Sequence, residues 1–168
     1  FLTSGGIAPC LSASIAALLE SYKMENISAE FSGYLNGYQG LLKGKSYEFP
    51  SQITKNVGML FSFGGSIIGN SRVKLTNAED CEKRGLILPG EKPLEKAAKQ
   101  LMKDKISILH TIGGDDTNTM AAELSHYLHE IGYDLTVVGL PKTVDNDIVP
   151  IVQSLGADTA AEQGALFF

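Results

Sequence analysis

Four carboxylates and two cations stand where phosphoryl chemistry would need them. Asp145 and Asp147 alternate along Pro141-Lys142-Thr143-Val144-Asp145-Asn146-Asp147-Ile148. Two close carboxylates raise one another's pKa unless a cation or a donor intervenes. One can therefore accept a proton from an attacking hydroxyl while the other stays near metal or substrate. Thr143 offers a hydroxyl to a substrate phosphate, and Lys142 offers a positive charge. A second acidic pair, Asp115-Asp116, lies in Gly113-Gly114-Asp115-Asp116-Thr117-Asn118-Thr119. Its glycines let the backbone turn sharply and come close to a ligand. The helix start that follows presents free N–H groups suited to phosphate. Two carboxylates at such an anion site call for a cation, and Mg²⁺ held by Asp115 and by substrate phosphates supplies it. Arg72, at the end of Gly64-Gly65-Ser66-Ile67-Ile68-Gly69-Asn70-Ser71-Arg72, can meet a phosphate with two parallel hydrogen bonds. Positioning and electrostatics do most of the work of phosphoryl transfer, and these side chains provide both.

Taken singly, each residue keeps a plainer reading. One Asp at a helix start can be an N-cap, and Asp145 or Asp147 can cap a turn. Lys142 and Arg72 can be solvated charges. Gly5-Gly6, in Ser4-Gly5-Gly6-Ile7-Ala8-Pro9-Cys10, can be a phosphate-binding turn or any tight turn between strand and helix. His110 reads as a satisfied strand residue. His126 and His129, one helical turn apart with no third ligand near in sequence, read as an exposed face.

The elements that must position these groups follow from periodicity. Ile106-Ser107-Ile108-Leu109-His110-Thr111-Ile112 is apolar and β-branched enough for a buried parallel strand. Met120, Ala121, Leu124, Tyr127, Leu128 and Ile131 fall at helical spacing behind it. Phe1-Leu2-Thr3 reads as the end of a strand, and Leu11, Ile15, Leu18, Leu19 and Tyr22 as one face of a helix. Ala29 to Tyr34 alternates well enough for the second strand. A short turn or helix is expected around Tyr38–Leu42. Ile53 to Phe63 has no clear period, and Thr76 to Pro89 reads as a charged surface excursion. Leu94, Ala97, Ala98, Leu101 and Met102 predict an amphipathic helix, Leu135 to Leu140 a strand, and Asp158 to Glu162 the start of a last helix. Strands alternating with helices imply right-handed βαβ units and a parallel sheet, with ligands at the strands' carboxyl ends. Four turns, at Gly5, Gly64, Gly113 and Pro141, follow apolar runs that could end there.

The 168 residues suffice for one domain with a real core. A net charge of −5 argues against a nucleic-acid or acidic-membrane surface. Cys10 and Cys81 give neither a disulfide framework nor a metal spacing, which fits a reducing compartment such as the cytoplasm. No run is long and apolar enough to span a bilayer, and no signal peptide is visible. The chain opens inside a strand pattern and closes on Leu166-Phe167-Phe168, so it reads as a piece of a longer protein.

Thr3-Ser4-Gly5-Gly6, Gly64-Gly65-Ser66 through Ser71-Arg72, the Gly-Gly-Asp turn at Gly113 and Pro141 to Asp147 resemble, in order and spacing, the 6-phosphofructokinase family. The resemblance runs from the first residues to about Asp158. It implies an α/β, Rossmann-like three-layer domain with a mainly parallel sheet, cut before a second domain is complete. Residues 1–168 would be its N-terminal donor-binding and catalytic-loop domain. By the same resemblance Asp145 is the base on the 1-hydroxyl of fructose 6-phosphate, and Asp115 binds Mg²⁺. Thr143 and Asp147 line the substrate and transition-state site. Gly6, Arg72, Asp116, Thr117 and Lys142 fall on the side of the phosphoryl donor. Nucleotide-using members usually have glycine where this chain has Asp116 and Lys142, whereas pyrophosphate-using members resemble it at both. The physical sense agrees, since an acidic side chain crowds the space beside an α-phosphate and a lysine suits a compact anion. Cys10 and Ile7 depart from the small residues common in the family's first turn. An ATP-dependent member and a non-catalytic subunit of the same fold are the alternatives; the latter would be expected to lose acidic residues from the last loop. The partners implied are pyrophosphate or ATP and fructose 6-phosphate, with no nucleic acid and no membrane, in a homo-oligomer at full length. Residues 1–168 alone are not expected to turn over, because the sugar-phosphate contacts lie beyond Phe168.

Overall fold

The computed structural model describes residues 1–50, 53 and 56–168. In chain order the elements are β1 (Leu2–Thr3), α1 (Cys10–Met24), β2 (Ser32–Tyr34), α2 (Tyr38–Lys43), β3 (Ser46–Glu48), α3 (Gly58–Phe61), α4 (Ala78–Lys83), α5 (Pro93–Lys103), β4 (Ile108–Gly113), α6 (Asp115–Glu130), β5 (Thr136–Pro141) and α7 (Ala157–Phe167). β1, β4 and β5 form a parallel sheet in the order β1-β4-β5. Leu2 lies opposite Thr111, and Ile108 through Gly113 lie opposite Thr136 through Pro141. The ends of β4 and β5 are therefore level, and the turns that follow them are neighbours.

Side chains alternate across a strand, so each strand feeds two cores. Leu2, Leu109 and Val137 pack with Tyr38, Leu41, Ala97, Leu101, Met120 and Leu124 from α2, α5 and α6. Phe1, Ile112 and Leu140 pack on the other face with Leu11, Ile15, Leu19 and Leu60 from α1 and α3. Helices cover both faces, which makes the three-layer α/β arrangement that the strand–helix alternation implies.

Three expectations need correction. The alternating stretch Ala29–Tyr34 yields only β2, which pairs antiparallel with β3 in a two-stranded sheet of its own. Alternation marks a half-buried strand but fixes neither its direction nor its partner. Two bonds, Phe1 N to Ser32 O (2.6 Å) and Tyr34 N to Phe1 O (2.9 Å), still tie β2 to the edge of β1. Secondly, the turns at Gly5, Gly113 and Pro141 follow or end strands, but Gly64 follows the helical turn α3. Val57 and Leu60, three residues apart, bury together on one side of that turn, which is helical spacing. Residues 51, 52, 54 and 55 of the preceding stretch lie outside the described residues. Thirdly, the charged excursion after Thr76 is anchored: Cys81, Leu86 and Ile87 reach the core. Among the described residues no helix is long and apolar enough to cross a membrane.

Candidate active site

The strap from Ser66 to Arg72 is laced onto the end of β1. Ser4 N donates to Ile112 O (3.1 Å), while Gly5 N and Ser4 Oγ both donate to Ser71 O at 2.9 Å. Thr3 Oγ1 donates to Gly69 O, and Asn70 Nδ2 to Gly5 O, both at 2.6 Å. Gly5 sits at φ +88°, where a side chain would be strained. At Gly113 any Cβ would lie 2.5 Å from Ser4 O and 2.5 Å from Thr117 Oγ1, so only glycine fits. The first and third turns are thus in direct contact.

α6 begins right after that contact. Its N-cap is Gly114, with no side-chain capping bond, so Asp115 and Asp116 occupy the first turn without capping it. Among the described residues no side chain caps the helix's opening N–H groups. Asn118 Nδ2 donates to Gly113 O and Gly114 O, both at 2.9 Å, which fixes the turn from below. Asp115 is exposed. Asp116, also exposed, forms an ion pair of 2.5 Å with Lys74, two residues beyond Arg72. Thr117 is buried at 1% exposure, its hydroxyl facing Gly5 and Gly113, and its carbonyl accepts from Tyr38 OH (2.8 Å). It forms part of the wall between the two turns.

Lys142 continues from β5 across the same region. Its N–H donates to Gly113 O (2.8 Å), and its ammonium donates to Gly6 O (2.6 Å). The side chain is buried, not solvated. Burial pushes its pKa below the ordinary lysine range; the Arg72 charge adds to this, while Cys10 and Asp145 oppose it. A Cβ at Gly6 would lie 3.7 Å from Lys142 Nζ and 3.8 Å from an Arg72 guanidinium nitrogen. Two cations therefore flank the first turn. Cys10 lies nearby, half-buried, its thiol pushed up by burial and held back by the Lys142 charge.

Asp145 and Asp147 are exposed on the loop after Lys142. Thr143 Oγ1 accepts from Asp145 N (3.1 Å) and donates to the Asp145 carboxylate (3.3 Å). Asn146, at φ +51°, uses both ends of its amide on the returning limb: Nδ2 donates to Val152 O (3.0 Å), and Oδ1 accepts from Ser154 N (2.8 Å). The structure thus brings Gly6, Arg72, Lys142 and Asp145 into one neighbourhood, with Asp115 and Asp116 on the adjoining helix start.

The histidines lie elsewhere. His110 accepts or donates at Tyr22 OH through Nε2 (2.8 Å), but its buried Nδ1 has no partner among the described residues, so among them only half of the ring is satisfied. Burial and then the charge of the amino terminus lower its pKa to about 4. His126 is exposed beside Glu130, and His129 is exposed too. A cavity of about 520 Å³ along α6 and β5 includes Asn118, His126 and His129 but none of the charged groups above.

Sequence reasoning passed over Lys74, Asn70, Asn146 and Ser154. Lys74 and Asn70 lie within two residues of Arg72, and a basic or amide residue that close to a phosphate-type arginine was the available signal. Nothing in the sequence announces the Asn146 and Ser154 bonds, which exist only once the loop has closed.

Comparison with known proteins bears on what this neighbourhood belongs to. The profile described as phosphofructokinase matches residues 1–165. The chain belongs to the phosphofructokinase family. It is 59% identical over 167 residues to the pyrophosphate–fructose 6-phosphate 1-phosphotransferase of Methylomonas methanica, covering 99% of this chain and 41% of that protein. It is 37% identical over 158 residues to the ATP-dependent 6-phosphofructokinase of Thermotoga neapolitana, covering 94% of this chain and 43% of that one. The Pichia pastoris phosphofructokinase solved in the T-state shares the fold with a TM-score of 0.76 and 26% identity, over 96% of this chain and 17% of that chain. The chain spans about 41% of the length of the pyrophosphate-dependent curated relatives that it matches at 54–59% identity.

Proposed function

We propose that residues 1–168 are the donor-binding and catalytic-loop domain of an enzyme that moves a phosphoryl group from pyrophosphate to the 1-hydroxyl of fructose 6-phosphate. The observation that carries the choice of donor is the buried Lys142 ammonium on Gly6 O, with Arg72 beside it. A cation placed there is matched to a compact, highly charged anion. Asp116, paired to Lys74, puts an acidic side chain at the start of α6, which in this reading crowds the space beside the α-phosphate of a nucleotide. The names of the 54–59% identical relatives point the same way.

In this reading the N–H groups at the start of α6, with Lys142 and Arg72, hold the donor's phosphates and offset the charge that spreads over the transferring group. Asp145, its carboxylate held by Thr143 Oγ1, takes the proton from the sugar hydroxyl as the oxygen attacks. Asp147, on the same loop, faces the reacting groups with Thr143. Mg²⁺ fits the donor set: Asp115 is one exposed carboxylate at the helix start, and among the described residues no cluster of three or more ligating side chains is present. Mg²⁺ is held by one or two carboxylates plus substrate phosphates, which is what Asp115 and pyrophosphate would offer. When bound, it would neutralise charge on the donor's oxygens. A cytoplasmic, homo-oligomeric enzyme is the setting this reading implies.

The test is a donor comparison on the full-length protein: production of fructose 1,6-bisphosphate with Mg²⁺-pyrophosphate and with Mg²⁺-ATP. Preference for ATP overturns the donor assignment and leaves the family intact. Turnover with neither donor points to a non-catalytic subunit.

A further inference from the structure

We infer that Ser154 and Asn146 are positioning residues for the loop that carries Asp145, acting through the Thr143 segment. This rests on the reading of Asp145 as the base. The loop after β5 is exposed over Val144 to Asp147, and such a segment does not hold a carboxylate in place by packing. Its two limbs are instead tied at three levels. Leu155 N donates to Pro141 O (2.8 Å), beside a parallel bridge between Lys142 and Leu155. Ser154 Oγ donates to Thr143 O (2.6 Å). The Asn146 amide then spans Val152 O and Ser154 N.

Ser154 is the hub of these ties. It is 3% exposed within an otherwise open loop, and both its hydroxyl and its N–H are used across the loop. Thr143, whose carbonyl Ser154 holds, is the residue whose hydroxyl holds the Asp145 carboxylate. The relay therefore runs Ser154 to Thr143 to Asp145, through two hydrogen bonds and one residue's backbone. Asn146 supplies the reversal next to the base. Its φ of +51° is a conformation that asparagine tolerates better than most residues, and its amide closes the ring from the other side. Neither residue needs to touch substrate for this.

The experiment uses the full-length enzyme and four variants. Ser154→Ala removes the tie to Thr143 O, while Ser154→Thr keeps a hydroxyl there. Asn146→Gly keeps the positive φ and removes both amide bonds. Asp145→Asn reports on the base itself. A displacement of the base should lower kcat by about 10- to 100-fold in Ser154→Ala and Asn146→Gly, with KM for pyrophosphate within about threefold of wild type. Ser154→Thr should retain most of the wild-type kcat, and melting temperatures should fall by no more than a few degrees, because Ser154 is buried but each variant removes only one or two hydrogen bonds. Unchanged kcat in both Ser154→Ala and Asn146→Gly overturns the inference. So does a kcat loss matched by a loss of folded enzyme and shared by Ser154→Thr. If Asp145→Asn retains turnover, the base assignment fails instead, and the two failures are told apart by that variant alone.

Discussion

In the proposed reading, the candidate site has a donor side and an acceptor side, and the two are built differently. On the donor side, the first turn, the Ser66–Arg72 strap and the start of α6 are joined by backbone and short side-chain bonds, with glycines where nothing larger fits. On the acceptor side, Asp145 and Asp147 stand exposed on a loop whose limbs are tied to each other. A preassembled donor site suits electrostatic stabilisation, because dipoles already in place need no reorganisation when charge develops. A carboxylate that must meet a mobile sugar hydroxyl gains from exposure, and it depends on local ties for its aim. The donor side should therefore fail by losing its fold, and the acceptor side by losing rate.

The sharpest break is expected at the proposed base, Asp145. Asp145→Asn in the full-length enzyme keeps shape and hydrogen bonding but removes basicity. Its kcat should fall by roughly 10²–10⁴-fold, with sugar-phosphate affinity little changed and the melting temperature unmoved. Retention of most of the turnover would remove Asp145 from the role.

The opposite signature belongs to Gly113. A methyl group there meets the Ser4 carbonyl and the Thr117 hydroxyl at 2.5 Å, and neither is the end of a long flexible side chain. Gly113→Ala should destabilise by about 1–3 kcal/mol and lower the melting temperature by about 3–10 °C. A thermal melt with no shift would show that the donor side is less rigidly assembled than the contact implies.

Much of the donor side could be read from the sequence because its signals are local. β4 and α6 follow from apolar periodicity, and glycine pairs mark turns whatever packs on them. The pairing of β2 with β3 was not legible, since Ala29–Tyr34 carries the pattern of a strand without the identity of its partner. Gly64 misled for a related reason: Val57 and Leu60 are apolar enough for a strand end, yet bury as a helical turn. Lys142 left two readings, solvated or functional, and only the fold shows it buried against Gly6. Lys74 gave no pattern at all, because its partner Asp116 is 42 positions away in sequence.

In the proposed reading, Lys142 is the residue within the rigid half that decides between donors. Lys142→Met keeps volume and removes the charge that faces Gly6 and Arg72. Loss of a charged hydrogen-bond donor should raise KM for pyrophosphate by about tenfold or more. Asp116→Gly should ease ATP binding by opening space and removing a negative charge. An unchanged ratio of pyrophosphate to ATP kcat/KM in both variants would take these two positions out of donor choice.

The smallest effect tests whether Asp116 acts alone. Its ion pair with Lys74 is exposed at both ends, and such pairs are worth about 0.2–1 kcal/mol, a factor of roughly 1.4 to 5. If Lys74 serves by holding Asp116 in place and offsetting its charge beside an anionic donor, Lys74→Met should raise KM for pyrophosphate by about two- to fivefold. Salt should shrink that difference, because exposed charges are screened. The same substitution made in Asp116→Gly should then do little, since the group that Lys74 restrains is gone. Steady-state kinetics on the two single variants and the double variant give the coupling directly. Equal effects of Lys74→Met with and without Asp116 would mean that the lysine meets the donor itself. The rigid half of the site would then present three cations to pyrophosphate, and Asp116 would be left as a steric block only.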